Sequence, residues 1–270
     1  MVSRAIVLCV AAAAAPPVVA GQAPAPLATE RAAFADWLAT APTSPFAAVA
    51  QQPIGGGLAL GSDGGPALEG LRDARVNVES GRVVLNGLGA PRSLPRFRPT
   101  RLGRYLLVPG GTAATPVLTV FDSSRARKAP RWYAHDPSLA FVGALTPPAQ
   151  ASSRRLLTPD GIEVEATEAG TVLVPLGGVA TRLRVMRIPD PATGESELEV
   201  FYRDSTNTTE TYPAGRFVAL VPQGGGKYRL DFNRSRNPFC AYSTAYACPI
   251  PWQGNVLPVH VRAGEQYVKD

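Results

Sequence analysis

Glycine and proline interrupt this chain so often that few stretches can carry an unbroken helix. There are 26 glycines and 27 prolines among 270 residues, roughly a fifth of the chain against ~12% in average usage. Proline removes a backbone donor and clashes with the preceding turn, while glycine loses extra chain entropy in a helix. A helical bundle or coiled coil is therefore excluded. Hydrophobic residues still make up 45%, which supports a core at this length and rules out disorder of the whole chain. Three cysteines are too few for a disulfide-dense miniprotein. Length alone allows one large or two small domains.

One segment reads as helix. Gly21–Ala28, with Pro24 and Pro26, looks like a linker. Thr29 would cap a short helix, with Glu30 in its first turn and Phe34, Trp37 and Leu38 on one face. Pro42 and Pro45 end it. After Gly55-Gly56-Gly57 the pattern changes to short strands between turns: Arg75–Glu79, Arg82–Leu85, Tyr105–Val108 and Val117–Phe121. A second series follows Pro130: Ala140–Leu145, Ile162–Ala166, Thr171–Leu176, Thr181–Ile188, Glu197–Tyr202, Phe217–Val221 and Tyr228–Phe232. Parallel sheets need crossover helices, and this chain has nowhere to put them. The expected fold is mainly β, with antiparallel sheets forming a sandwich, a barrel or both, and one short N-terminal helix. The expected divisions are a leader over 1–20, a linker and helix over 21–54, an N-terminal β half over 55–125 and a C-terminal β half over 130–270. Basic, breaker-bounded Ser123–Pro130 is the seam.

Met1–Ala20 reads as a secretory signal. Arg4 gives the positive start, Ala5–Ala15 the apolar stretch, and Val18-Val19-Ala20 a small-residue end for cleavage near Ala20. The stretch falls short of the ~20 residues that a spanning helix needs. Cys9 lacks the small residue expected before a lipidated cysteine, and no later apolar run could span a bilayer. The mature chain is therefore expected outside the cytoplasm, periplasmic or secreted. The leader removes one of six net positive charges. The remaining basic residues fall in spread groups, such as Arg92 to Arg104, Arg125 to Arg131, and Arg182, Arg184 and Arg187. They read as solvated faces that guard strand edges, or as an attraction for an anionic polymer or headgroup. Stacking aromatics are not interleaved with them, so nucleic acid is not an expected partner.

Most chemical motifs fail on inspection. His135, His260 and two mature cysteines lack metal-ligand spacing, so no metal or other cofactor is expected. No Gly-x-Ser-x-Gly elbow occurs. Gly224-Gly225-Gly226-Lys227 lacks the rest of a phosphate loop and reads as a hairpin turn. The region from Asp204 to Glu265 does not dissolve in this way. It is polar, aromatic and proline-rich, with few strand-like runs after Phe232. A loop that long is usually functional or covalently tied. Cys240 and Cys248, the only mature cysteines, supply the tie as a disulfide in an oxidising compartment. Closing so short a loop is worth roughly 2.5 kcal/mol in the chain-entropy account.

The tail carries Asp231-Phe232-Asn233-x-x-x-Asn237-Pro238-x-Cys240-Ala241-Tyr242, then Cys248-Pro249-x-Pro251 and Asn255-x-Leu257-Pro258. With Thr211-Tyr212-x-x-Gly215-Arg216-Phe217 and Trp132-Tyr133-x-x-Asp136-Pro137 upstream, it resembles an uncharacterised bacterial family, the domain of unknown function sixteen eighty-four. The resemblance runs from about Gly55 onward and is strongest in the last third. It implies a β-rich protein whose earlier half is similar in pattern to a forkhead-associated-like sandwich, and it brings no activity with it. Phosphopeptide binding does not follow, because the turn Gly61-Ser62-Asp63 has no arginine beside it.

Two readings of the tail are open. Asp204, Arg216, Asp231, Asn233 and Asn237 could form a buried polar network that pins a long loop to the sheet. Alternatively they line a cleft, with Arg216 holding an anionic group, Asp204 or Asp231 orienting it, and Tyr212 and Trp132 as an apolar wall. The first expectation for function is an extracytoplasmic binding or interaction module for a small anionic or carbohydrate-like ligand. A carboxylate-dependent envelope hydrolase and a structural envelope accessory are the alternatives. Catalytic residues and oligomeric state are not legible.

Overall fold

A computed structural model of the chain describes residues 23–61, 65–71 and 73–267. The expected leader and its cleavage near Ala20 lie outside the described residues, as do Ser62 and Asp63.

Helix α1 spans Ala25–Thr40 and starts four residues before the expected Thr29 cap. Proline is tolerated in a first turn, where its missing N–H has no intrahelical partner, so Pro24 and Pro26 open the helix rather than delay it. The Thr29 hydroxyl instead donates back to the Ala25 carbonyl at 3.0 Å. Leu27 and Leu38 are its buried residues.

Eight strands follow: β1 (Ala48–Pro53), β2 (Leu58–Ala59), β3 (Arg75–Glu79), β4 (Arg82–Asn86), β5 (Arg92–Leu94), β6 (Thr100–Leu102), β7 (Tyr105–Gly111) and β8 (Pro116–Asp122). They form two four-stranded sheets, ordered β1-β8-β7-β6 and β2-β3-β4-β5, antiparallel throughout. Both sheets feed one apolar core, which includes Ile54, Leu58, Val76, Leu85, Leu107 and Val120. This half is a sandwich. It begins at Ala48, inside the segment expected as linker and helix, because β1 pairs with β8. Strands β7 and β8 are buried almost end to end. The reason is a second contact on the sheet's outer face, where Leu106 and Phe121 pack with Cys240 and Tyr246 of the tail.

The second half holds β9 (Ala140–Thr146), β10 (Ser153–Leu157), β11 (Glu163–Leu176), β12 (Val179–Pro189), β13 (Ser196–Tyr202), β14 (Arg216–Gly224) and β15 (Lys227–Asp231). The order is β10-β11-β12-β13-β14-β15-β9, and β9 also pairs with β11. Six strands thus close into an antiparallel barrel, with β10 appended outside the ring. Inside lie residues such as Val174, Leu183, Val200, Tyr202, Leu220 and Phe232, completed by Leu257, Val261 and Ala263 of the tail.

Strand β11 unites two segments that read separately in sequence. A bulge between Glu168 and Gly170 inserts one residue against β12. Because side chains alternate with period two, the extra residue reverses which face is dry. Beyond the bulge, Val172, Val174 and Leu176 point into the barrel. Before it, Val164 and Ala166 join Ile162, Met186 and Ile188 in a separate cluster, flanked by Leu156 and Trp252. Gly170 sits at φ +137°, where a Cβ would run into the Thr146 carbonyl. That is the point at which β9 reaches across to close the ring.

Cys240 and Cys248 are joined in a disulfide, with Cα atoms 5.6 Å apart. No helix among the described residues is long and apolar enough to cross a membrane.

Candidate functional site

The residues singled out in the tail are brought together mainly as pins. Arg216, at the start of β14, has 0% relative exposure. Its guanidinium donates to Asp204 Oδ2 and to the Val261 carbonyl, both at 2.8 Å, and to the Ala263 carbonyl. Asp204 Oδ1 accepts from the Thr206 amide and hydroxyl and from the Val261 amide. A buried ion pair of this kind holds segment 261–265 to the barrel and leaves neither partner facing a hollow. Gly264 makes the passage fit: at φ +77° a Cβ there would lie 2.7 Å from the Ser235 carbonyl.

Asp231 and Asn233 form a second pin. Asp231 pairs with Arg229 at 2.7 Å and accepts from the Asn233 amide at 3.1 Å. The Asn233 carboxamide takes the Asp136 N–H at 2.9 Å and gives its own N–H to the Asp136 carbonyl at 2.8 Å. One side chain thereby does the work of a neighbouring strand. Asn255 repeats the device: it accepts from the Arg184 amide at 2.8 Å and donates to the Arg184 and Phe201 carbonyls, both at 3.0 Å.

Asn237 reaches the tail end through Gln266 at 3.1 Å, and its backbone N–H donates to Glu265 at 2.9 Å. Glu265 also accepts from the Tyr242 hydroxyl at 2.7 Å. Burial pushes the Glu265 carboxyl up to about 7, against the opposing pull of the Asn237 amide, Tyr242 and Arg236. Trp132 lies apart from the Asp204–Arg216 pair, under α1, where it packs edge-on against Phe34 and beneath the Arg31 guanidinium. The Tyr212 hydroxyl donates to the Cys240 carbonyl at 3.0 Å, which braces the disulfide loop.

Another acid group sits on the outer side of β13. Glu199 carries a buried Oε2 that finds no hydrogen-bond partner among the described residues. Burial, with help from Glu197 and Asp160, pushes its carboxyl up to about 8. Asp160 is raised as well, chiefly by burial. Neither lines a hollow described below. Among the described residues no cluster of three or more histidine, cysteine or acidic side chains could hold a metal ion.

The open site lies elsewhere, on the cluster that the β11 bulge turns outward. A hollow of about 360 Å³ is bounded by β10, the start of β11, β12 and the loop after Cys248. By alternation Arg154 shares a face of β10 with Leu156, and Arg184 shares a face of β12 with Met186. All four line the hollow, together with Trp252 and Gln253. Arg155 and Glu163 contribute as well, and pair with each other at 3.4 Å. The Arg184 backbone is gripped by Asn255 and its Nε lies 3.3 Å from Glu168. Its Nη1 is buried and finds no acceptor among the described residues. Three arginines against two carboxylates, Glu163 and Glu168, each paired with one of them, leave the hollow with a net positive charge. Burial strengthens a charge–charge contact formed there.

Sequence reasoning noted Arg184 only as one of a basic group and passed over Arg154, Trp252 and Gln253. The alternation Arg182-Leu183-Arg184-Val185 marks Arg184 as outward, but nothing in sequence announces β10 or the bulge.

The model of a family described as a protein of unknown function, DUF1684, matches residues 128–266. No curated protein matches the chain. An uncharacterized protein of Haloarcula marismortui, solved by solution NMR, is 31% identical over 52% of this chain and 76% of that one, with a TM-score of 0.44.

Proposed function

Because the chain belongs to the DUF1684 family, whose description carries no activity, we propose from its geometry that it is a binding module for a small anionic, carbohydrate-like ligand. The ligand occupies the hollow against β10 and β12. The observation that carries this reading is the Arg184 guanidinium, held by Glu168 on a backbone that Asn255 fixes, with one buried N–H still to be matched. A carboxylate or phosphate oxygen would match it in a charge-assisted bond, the strongest kind available to arginine. Trp252 offers an apolar face and Gln253 a polar edge in the same wall, the mixture that sugar rings require. Asp204 and Arg216 support this site indirectly, by holding the tail that carries it.

The sequence also raised a carboxylate-dependent hydrolase. A two-carboxylate mechanism needs acids roughly 5–9.5 Å apart in an open site. Asp204 and Asp231 are each buried against an arginine, so geometry favours binding over that chemistry. Export to the periplasm or beyond remains part of the proposal, resting on Met1–Ala20.

Titration of the full chain with glucuronate by calorimetry tests the reading. Saturable binding that weakens at least tenfold in Arg184→Gln, with an unchanged melting temperature, is the expected result. Glucuronate that fails to bind, or binds equally well to Arg184→Gln, overturns it and leaves a structural accessory as the better account.

A further inference from the structure

A second hollow, of about 450 Å³, adjoins the first. It is walled by β1, β8 and the turn before Cys248, and shares Leu157 and Glu163 with its neighbour. The two differ sharply in chemistry. The second is lined mostly by Pro53, Ala114, Pro116, Val117, Leu157 and Ala247. Of its polar side chains, Gln51 is engaged with the Asp160 carbonyl at 3.0 Å and Thr119 at 3.3 Å, Thr115 with Thr112 at 2.7 Å, and Glu163 with Arg155 at 3.4 Å. Ile250, on the lip of the first hollow, is 82% exposed.

Resting on the anion-binding reading above, we propose that the ligand is an anionic amphiphile: its headgroup sits among Arg154, Arg184 and Trp252, and a single acyl chain crosses Leu157 into the apolar hollow between sandwich and barrel. The adjacency selects this occupant. A wholly polar ligand leaves the apolar second hollow uncovered, and an uncharged hydrocarbon leaves the surplus positive charge of the first hollow unanswered. An amphiphile places charge against charge and methylenes against Leu157, Val117 and Pro53. Burial of methylenes is additive in chain length, so affinity should climb with the chain while head recognition stays with the arginines.

The experiment compares glucuronate with octyl and dodecyl glucuronide, each below its micelle threshold, on the full chain. The parent should bind the dodecyl compound at least a hundredfold more tightly than glucuronate, with the octyl compound between. Ala114→Trp, placed on an exposed loop at the rim of the apolar hollow, should erase most of the chain-dependent gain and leave glucuronate affinity unchanged. Arg184→Gln should weaken all three ligands together. Equal affinities for glucuronate and dodecyl glucuronide, or a chain-dependent gain that survives Ala114→Trp, overturn the amphiphile while leaving the anion site standing. Loss of glucuronate binding itself would instead strike the earlier reading.

Discussion

The sandwich and the tail are both tightly packed, yet they are held by opposite means. The sandwich buries aliphatic side chains from two sheets around Leu107, and its strand hydrogen bonds are satisfied by neighbouring strands. The tail after Phe232 has almost no strand partners, and polar side chains stand in for them: Asn233, Asn255, Asp204, Arg216 and Glu265. Apolar burial is non-directional and tolerates adjustment. A polar pin is directional, and removing half of it strands the other half away from water. The same degree of burial therefore implies different failure modes.

That contrast can be broken most forcefully at the Asp204–Arg216 pair. Asp204→Ala or Arg216→Ala should each cost about 3–5 kcal/mol, because each leaves an uncompensated buried charge. Denaturant unfolding would measure it, and the double variant should lose less than the two losses added together, by more than ~1 kcal/mol. In the sandwich, Leu107→Ala should cost about 3 kcal/mol through the cavity it leaves. Its loss should add simply to that of Arg216→Ala, since the two share no partner.

Paired Cys240→Ser and Cys248→Ser should remove about 2–2.5 kcal/mol through a freer unfolded chain. Far-ultraviolet circular dichroism of the barrel should be preserved, which separates a clip from a fold determinant. A pH-dependent effect belongs to Glu199. Its carboxyl titrates at about 8 in the fold against 4.5 ordinarily, so the folded state keeps a proton that the unfolded chain releases. Stability from this group is full below about 4.5 and declines as pH rises towards 8. Glu199→Gln should therefore melt above the parent at pH 8, with the gap narrowing at pH 5.

How far the sequence led follows from the same contrast. Strands such as β3, β4, β12 and β13 are legible because alternation and turn chemistry mark them locally, as at Ser80-Gly81 and Pro189 to Gly194. Strands β1 and β10 are not, since Ala-Val-Ala-Gln-Gln-Pro and Ser-Arg-Arg-Leu-Leu lack a clean period. The bulge that fuses the two halves of β11 is a tertiary event, fixed by β9 closing on Gly170. The polar residues Asp204, Arg216, Asp231, Asn233 and Asn237 stand out in the sequence as one group, and the fold distributes them over separate pins. Whether they line a hollow or fill a gap depends on where segment 261–265 lies, and no local pattern encodes that. His135, on whose placement no local pattern bears, is buried for the same reason.

The two carboxamides that impersonate strands carry one more consequence. A backbone amide in a sheet is one of many, and its isotope exchange reports an average over the ladder that contains it. The Asn255 side-chain protons have a single way to meet solvent, which is for their own segment to lift off Phe201 and Arg184. Their signals are thus a built-in gauge of how often this lid-like stretch of chain departs while the barrel beneath stays whole.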